Sequence, residues 1–209
     1  MARTRIKICG VTRGRDAVRA VELGAAFVGL NFWPGSPRCL EVEAARRIAE
    51  RVRGQVEVVG VFVDQPAELV QGVSDRVGLD LVQLHGEEGP AFVGRFGDRA
   101  IKVFRVGADF DPAALSDFPD VWGYLFDCDH PTLVGGSGVA WSYERVADVS
   151  RSKPVIVAGG LRPSNVAQAI AKSGADIVDV SSGIESQPGI KDPESMERFI
   201  HEVHHAEED

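Results

Sequence analysis

Short apolar, β-branched runs alternate with amphipathic stretches along the whole 209-residue chain. The runs fall at 5–9, 26–31, 56–63, 80–85, 100–104, 123–127, 154–158 and 176–181, and their length and composition predict eight strands. Apolar positions recur at helical spacing over 15–23, 42–52, 66–77, 89–96, 112–118, 142–149, 163–172 and 193–204, which predicts a helix after each strand. Asp111-Pro112 and Asp192-Pro193 set a capping carboxylate before a first-turn proline, while Gln65-Pro66 and Arg162-Pro163 supply the proline alone. Gly24, Gly78 and Gly174 stand where helices should stop. Strict alternation of strand and helix predicts a parallel sheet. No linker or low-complexity run divides residues 1–209, so the expected fold is α/β, a single (β/α)8 TIM barrel. A doubly wound sheet is the alternative, and it would leave two exposed edges on eight strands.

In such a barrel the chemistry sits at the C-terminal ends of the strands. Those ends carry Cys9, Asn31, Asp64, His85, Arg105, Asp127, Gly159-Gly160 and Ser181-Ser182-Gly183. Alternation along Arg5-Ile6-Lys7-Ile8-Cys9 assigns Ile6 and Ile8 to packing and Lys7 and Cys9 to the opposite face. After strands seven and eight come two glycine turns, Ala158-Gly159-Gly160-Leu161 and Ser181-Ser182-Gly183. Glycine lets backbone N–H groups approach an anion, so the pair predicts a phosphate site. Asp127 ends an apolar run, an environment that favours a protonated carboxyl; the segment alone suits a general acid or a helix-capping or loop-bracing aspartate equally, and Asp129 is its rival as acid. Gly135-Gly136-Ser137-Gly138 fits neither common nucleotide-binding glycine pattern and reads as a mobile or substrate-covering loop after strand six.

A net charge of −8 argues against a nucleic-acid partner and leaves room for a small anionic ligand held by local positive features. Neither a membrane-length apolar run nor a signal-peptide core is present. Cys9, Cys39 and Cys128 form no Cys-x-x-Cys pair, which suits a reduced, cytoplasmic protein. His201-Glu202-Val203-His204-His205 matches the zinc-protease pattern, but only Ala206-Glu207-Glu208-Asp209 follows to supply a third ligand. It reads as a solvated terminal helix, and no metal site is expected.

In order along the chain, Lys7-Ile8-Cys9-Gly10-Val11-Thr12, Pro34-Gly35-Ser36-Pro37-Arg38, Val82-Gln83-Leu84-His85-Gly86 and Phe126-Asp127 resemble motifs of the phosphoribosylanthranilate isomerase family. Gly135-Gly136-Ser137-Gly138, Ala158-Gly159-Gly160-Leu161, Asp179-Val180-Ser181-Ser182-Gly183-Ile184-Glu185 and Pro188-Gly189-Ile190-Lys191-Asp192 extend the likeness over nearly the whole chain. Trp141-Ser142-Tyr143 departs mildly from the family's Phe-Asp-Trp.

The resemblance implies an Amadori rearrangement of N-(5′-phosphoribosyl)anthranilate to 1-(2-carboxyphenylamino)-1-deoxyribulose 5-phosphate, in tryptophan biosynthesis. It implies Cys9 as general base, Asp127 as general acid and Arg38 at the anthranilate carboxylate. Gly159, Gly160, Leu161, Ser181, Ser182 and Gly183 would hold the phosphate. It calls for no cofactor and fits either a monomer or a homodimer. A thiol titrates near ~8.5, so a thiolate at Cys9 needs nearby positive charge. Lys7, one pleat deeper, is placed to supply that charge or to pair with Asp179; Gln83 and His85 are expected to line the mouth without a chemical step. The other readings left open are a different sugar-phosphate barrel enzyme and a non-catalytic phospho-ligand binder.

Overall fold

A computed structural model describes residues 3–107, 110–127, 143–147, 149 and 152–206. Eight parallel strands close into a barrel in sequence order. They are β1 (Arg5–Ile8), β2 (Phe27–Asn31), β3 (Glu57–Phe62), β4 (Leu81–Leu84), β5 (Ala100–Arg105), β6 (Gly123–Asp127), β7 (Val155–Ala158) and β8 (Ile177–Val180). Closure comes from β1 against β8, where Lys7 lies level with Asp179 and Ile8 with Val180. Every predicted strand is present within two residues at either end, and closure rules out the open doubly wound sheet.

Two apolar layers follow from strand alternation. One set of side chains fills the barrel, among them Phe27, Val59, Leu81, Ile101, Leu125, Ile156 and Ile177. The other set, including Ile6, Ile8, Val28, Leu30, Val82 and Val178, packs outward against the helices. Helix α1 (Gly14–Glu22) presents Ala17 and Ala20, and α2 (Val42–Val52) presents Ala45, Ile48, Ala49 and Val52. Alanine at these contacts lets helix and sheet approach closely. Helix α3 (Ala67–Val77) turns Val70, Val73 and Val77 inward. It ends at Gly78, whose φ of 72° only glycine adopts at little cost.

The later helices depart more from their sequence patterns. The 89–96 stretch yields only α4 (Pro90–Val93), and 112–118 forms a 3₁₀ turn (Pro112–Asp117) capped by Asp111, which accepts from Ala113 N. Helix α5 is described over Glu144–Ala147. Helix α6 (Val166–Ser173) starts three residues after Pro163. Asn165 explains the delay: its Oδ1 accepts from Arg162 N at 2.8 Å and its Nδ2 donates to Gly160 O at 3.1 Å. The intervening residues are thereby held in a turn. The last helix, α7 (Pro193–His205), is capped by Asp192, which accepts from Ser195 N, and buries Met196, Phe199, Ile200 and Val203.

Between β8 and α7 the short helical turn suggested by residues 179–185 is present, and after it comes a hairpin absent from the sequence reading. A 3₁₀ turn (Ser182–Ile184) leads into a hairpin of β9 (Glu185–Gln187) and β10 (Ile190–Lys191). Pro188-Gly189, with Gly189 at φ 79°, makes its turn, and that dipeptide is the signal that marks it. Thr12 Oγ1 donates to Gly189 O, and Asp16 accepts from Lys191 N, so the hairpin is fastened to the start of α1.

Candidate active site

The inward positions at the C-terminal rim gather most of the residues singled out by sequence. Cys9 follows β1 on the face it shares with Lys7, and its N–H donates to Val180 O at 2.8 Å. The barrel makes room for both side chains at Gly29. A Cβ there would stand 2.8 Å from Cys9 Sγ and 3.2 Å from Lys7 Nζ.

Lys7 is fully buried, and its Nζ donates to Asp179 Oδ2 at 2.9 Å. Of the two roles open to it, pairing with Asp179 is therefore met directly. Burial works against its ammonium, but Asp179 and Cys9 outweigh burial and raise its pKa. For Cys9, whose protonation state the sequence left open, the balance runs toward the thiol. Burial, then the Asp179 carboxylate, push the thiol up, and Lys7 and Lys191 only partly offset them. A positive neighbour exists, but its charge is already answered by Asp179.

Asp127 ends β6 with its side chain about a quarter exposed. Its Oδ2 lies 3.2 Å from His85 Nε2, and His85 Nδ1 lies 3.2 Å from Gln83 Nε2. Gln83 and His85 were expected to line the mouth; what sequence reasoning missed is that they connect to Asp127. Two polar atoms inside the barrel, Gln83 Oε1 and Asp179 Oδ1, are buried with no hydrogen-bond partner among the described residues.

Arg38 reaches the rim from the loop after β2. A Cβ on Gly10, whose φ is 69°, would fall 2.4 Å from Arg38 Cδ and 2.9 Å from Ser181 Oγ. The arginine stem thus runs across a backbone that only glycine leaves open. Its head is paired with Glu185, Nε to Oε1 at 2.9 Å and Nη2 to Oε2 at 2.5 Å. Glu185 also accepts from Lys191 Nζ at 2.8 Å. Glu185 and Lys191 lay within the family-like motifs but had been given no role; their alternating charge beside the Pro-Gly turn was the available clue.

The two glycine turns meet. Gly159 and Gly160 have φ of 93° and 60°, and a Cβ on Gly183 would stand 1.9 Å from Leu161 O. Leu161 itself is buried beneath the junction, so it contributes backbone to this rim. Ser181 precedes the 3₁₀ turn, and the first N–H groups of such a turn have no partner inside it.

Among the other strand ends, Asp64 is a brace: its Oδ1 accepts from Glu87 N, and Glu88 accepts from its N–H. Arg105 is exposed. Cys128, Asp129, Gly135-Gly136-Ser137-Gly138 and Trp141-Ser142 lie outside the described residues. Among the described residues, no three His, Cys, Asp or Glu side chains gather as a metal site, and no helix is long and apolar enough to cross a membrane. His201 and His205 stack on the surface of α7 with ring centroids 3.9 Å apart.

A closed parallel barrel with a thiol, a carboxyl and paired glycine turns on one rim defines a (β/α)8 barrel enzyme of the kind that acts on phosphorylated ligands. The chain belongs to the N-(5′-phosphoribosyl)anthranilate isomerase family, whose profile matches residues 6–202. It is 46% identical over 200 residues to the N-(5′-phosphoribosyl)anthranilate isomerase of Geobacter sp. (strain M21), covering 96% of this chain and 98% of that one. The crystal structure of phosphoribosyl anthranilate isomerase from Thermotoga maritima superposes with a TM-score of 0.81 at 36% identity, over 96% of this chain and 98% of that chain. A second solved structure of such an isomerase, in complex with reduced 1-(o-carboxyphenylamino)-1-deoxyribulose 5-phosphate, matches with a TM-score of 0.78 at 35% identity, with 96% and 98% covered.

Proposed function

We propose that this chain isomerises N-(5′-phosphoribosyl)anthranilate to 1-(2-carboxyphenylamino)-1-deoxyribulose 5-phosphate, with Asp127 as acid and Cys9 as base. Asp127 gives its proton to the ribose ring oxygen as the bond from that oxygen to C1′ breaks, leaving a Schiff base between C1′ and the anthranilate nitrogen. The cationic imine acidifies the proton on C2′, and the Cys9 thiolate takes it. The resulting enol-amine picks up a proton at C1′ and loses one from the C2′ hydroxyl, giving the aminoketose. Every step is a proton transfer, so the chemistry asks for neither a redox cofactor nor a Lewis acid.

Arg38 meets the anthranilate carboxylate, and the turns at Gly159-Gly160-Leu161 and Ser181-Ser182-Gly183 hold the phosphate. The reading is supported most by one arrangement: Cys9 and Asp127 end inward positions of β1 and β6 on the rim where the glycine turns abut. The buried, unpartnered Gln83 Oε1 and Asp179 Oδ1 add acceptors suited to the hydroxyl groups of an opened sugar.

The test is turnover of phosphoribosylanthranilate generated in the cuvette, followed through loss of its fluorescence. Turnover that persists in a chelator is expected. Absence of turnover overturns the reading, and turnover abolished by the chelator points to a metal-dependent reaction instead.

A further inference from the structure

A guanidinium carries five N–H donors arranged on distinct edges. Glu185 takes the side edge of Arg38, through Nε and Nη2. The end edge, made by Nη1 and the second Nη2 hydrogen, has the spacing to receive another carboxylate. The Arg38 side chain is one-fifth exposed, whereas that of Glu185 is 4% exposed, so the pairing carboxylate is the buried partner.

Glu185 does not cancel the local positive charge. Lys191, itself fully buried, donates to Glu185 Oε1 and to Ser181 O at 3.0 Å. Two cations therefore share one carboxylate, and the cluster keeps a surplus positive charge on a chain of net charge −8. Burial disfavours the Glu185 carboxylate, but Arg38 and Lys191 outweigh it and hold its pKa below the ordinary range. The hairpin that bears both residues is tied down from outside, with Arg13 Nη2 donating to Lys191 O at 3.1 Å. Arg38 is thus gripped at two points, its stem over Gly10 and its head by Glu185.

We propose that Glu185 is a positioning and specificity-determining residue: it aims the end edge of Arg38 at the aromatic carboxylate of the ligand, while Lys191 neutralises the repulsion that carboxylate would meet. The inference rests on the isomerase reading above. It also explains why Glu185 follows the 3₁₀ turn directly. Residues 181–185 then link the phosphate end of the ligand to its carboxylate end through one short stretch of chain.

The experiment compares binding of two probes by calorimetry: reduced 1-(o-carboxyphenylamino)-1-deoxyribulose 5-phosphate and its counterpart lacking the ring carboxylate. Glu185→Gln should weaken the carboxylated probe by about tenfold or more, the scale of a charge-assisted hydrogen bond. The counterpart should bind as it does to the unaltered protein, which also shows that the variant is folded. In an Arg38→Met background, Glu185→Gln should no longer change discrimination between the probes. If Glu185→Gln does not fold, Glu185→Asp should show the same selective loss at smaller size.

Equal weakening of both probes, or no change in either, overturns the proposal. Tighter binding of the carboxylated probe also overturns it, because Glu185 would then be competing with the ligand for Arg38. Since the unaltered protein is first assayed for turnover, failure of the isomerase reading registers separately from failure of this one.

Discussion

His85 bridges two strands at the barrel mouth, its Nε2 3.2 Å from Asp127 Oδ2 and its Nδ1 3.2 Å from Gln83 Nε2. The contact fixes the direction in which the Asp127 carboxyl points, and in the proposed reaction the other carboxyl oxygen serves the ligand. His85→Ala should lower kcat by about 2- to 10-fold, the scale of one hydrogen bond, with KM little changed. Steady-state kinetics check it. A rise in KM at constant kcat would mean that His85 binds substrate rather than orienting the acid.

Gly183 is pressed against the backbone of the neighbouring turn, where a Cβ would come 1.9 Å from Leu161 O. Backbone cannot swing aside as a side-chain tip can. Gly183→Ala should therefore drive the two turns apart and weaken phosphate contacts by about tenfold or more. Inorganic phosphate as a competitive inhibitor reads this directly, since it reports the phosphate site without the rest of the substrate. An unchanged inhibition constant would remove these turns from the site.

Burial and the Asp179 carboxylate raise the Cys9 thiol, against the partial help of Lys7 and Lys191. The reactive thiolate must then accumulate only as pH climbs beyond the ordinary thiol range. Alkylation of Cys9, resolved by peptide mass mapping from Cys39 and Cys128, should still be accelerating at pH 9. A midpoint below pH 8 would show that the lysines dominate. Arg38, whose pKa is raised chiefly by Glu185, stays charged throughout this window.

Lys7 and Asp179 form a buried ion pair at level positions of β1 and β8, where the barrel closes. Removing one partner leaves a charge with no counterion. Lys7→Met should cost about 3–5 kcal/mol in denaturant unfolding, and the double variant Lys7→Met/Asp179→Leu should recover most of that loss. A double variant no more stable than the single one would mean that the pair is not the source of the effect.

Most of the fold was legible because strand alternation leaves a plain record: Ile6 and Ile8 pack outward, and Lys7 and Cys9 turn in. Strand ends then located Cys9, Asp127 and both glycine turns without coordinates. The helices were read less well where a side chain outside the periodic pattern decides the boundary. Asn165, by bonding Arg162 N and Gly160 O, holds back the start of α6 in a way that proline spacing does not reveal. Of the contacts between residues far apart in sequence, only the pairing of Lys7 with Asp179 was named from the chain. The ties of Arg38 to Glu185 and His85 to Asp127 span 147 and 42 residues, and only closure of the barrel brings them together. The direction of the Cys9 shift was left open by the sequence, since it depends on burial and on a carboxylate from β8.

The central claim is that Cys9 and Asp127 divide the proton transfers between them. Turnover of phosphoribosylanthranilate by Cys9→Ser and Asp127→Asn, each checked for folding by thermal unfolding, tests it most directly. Each substitution should lower kcat by about 10²- to 10⁴-fold while the carboxylated product analogue still binds. Near-normal kcat in both variants would contradict the assignment.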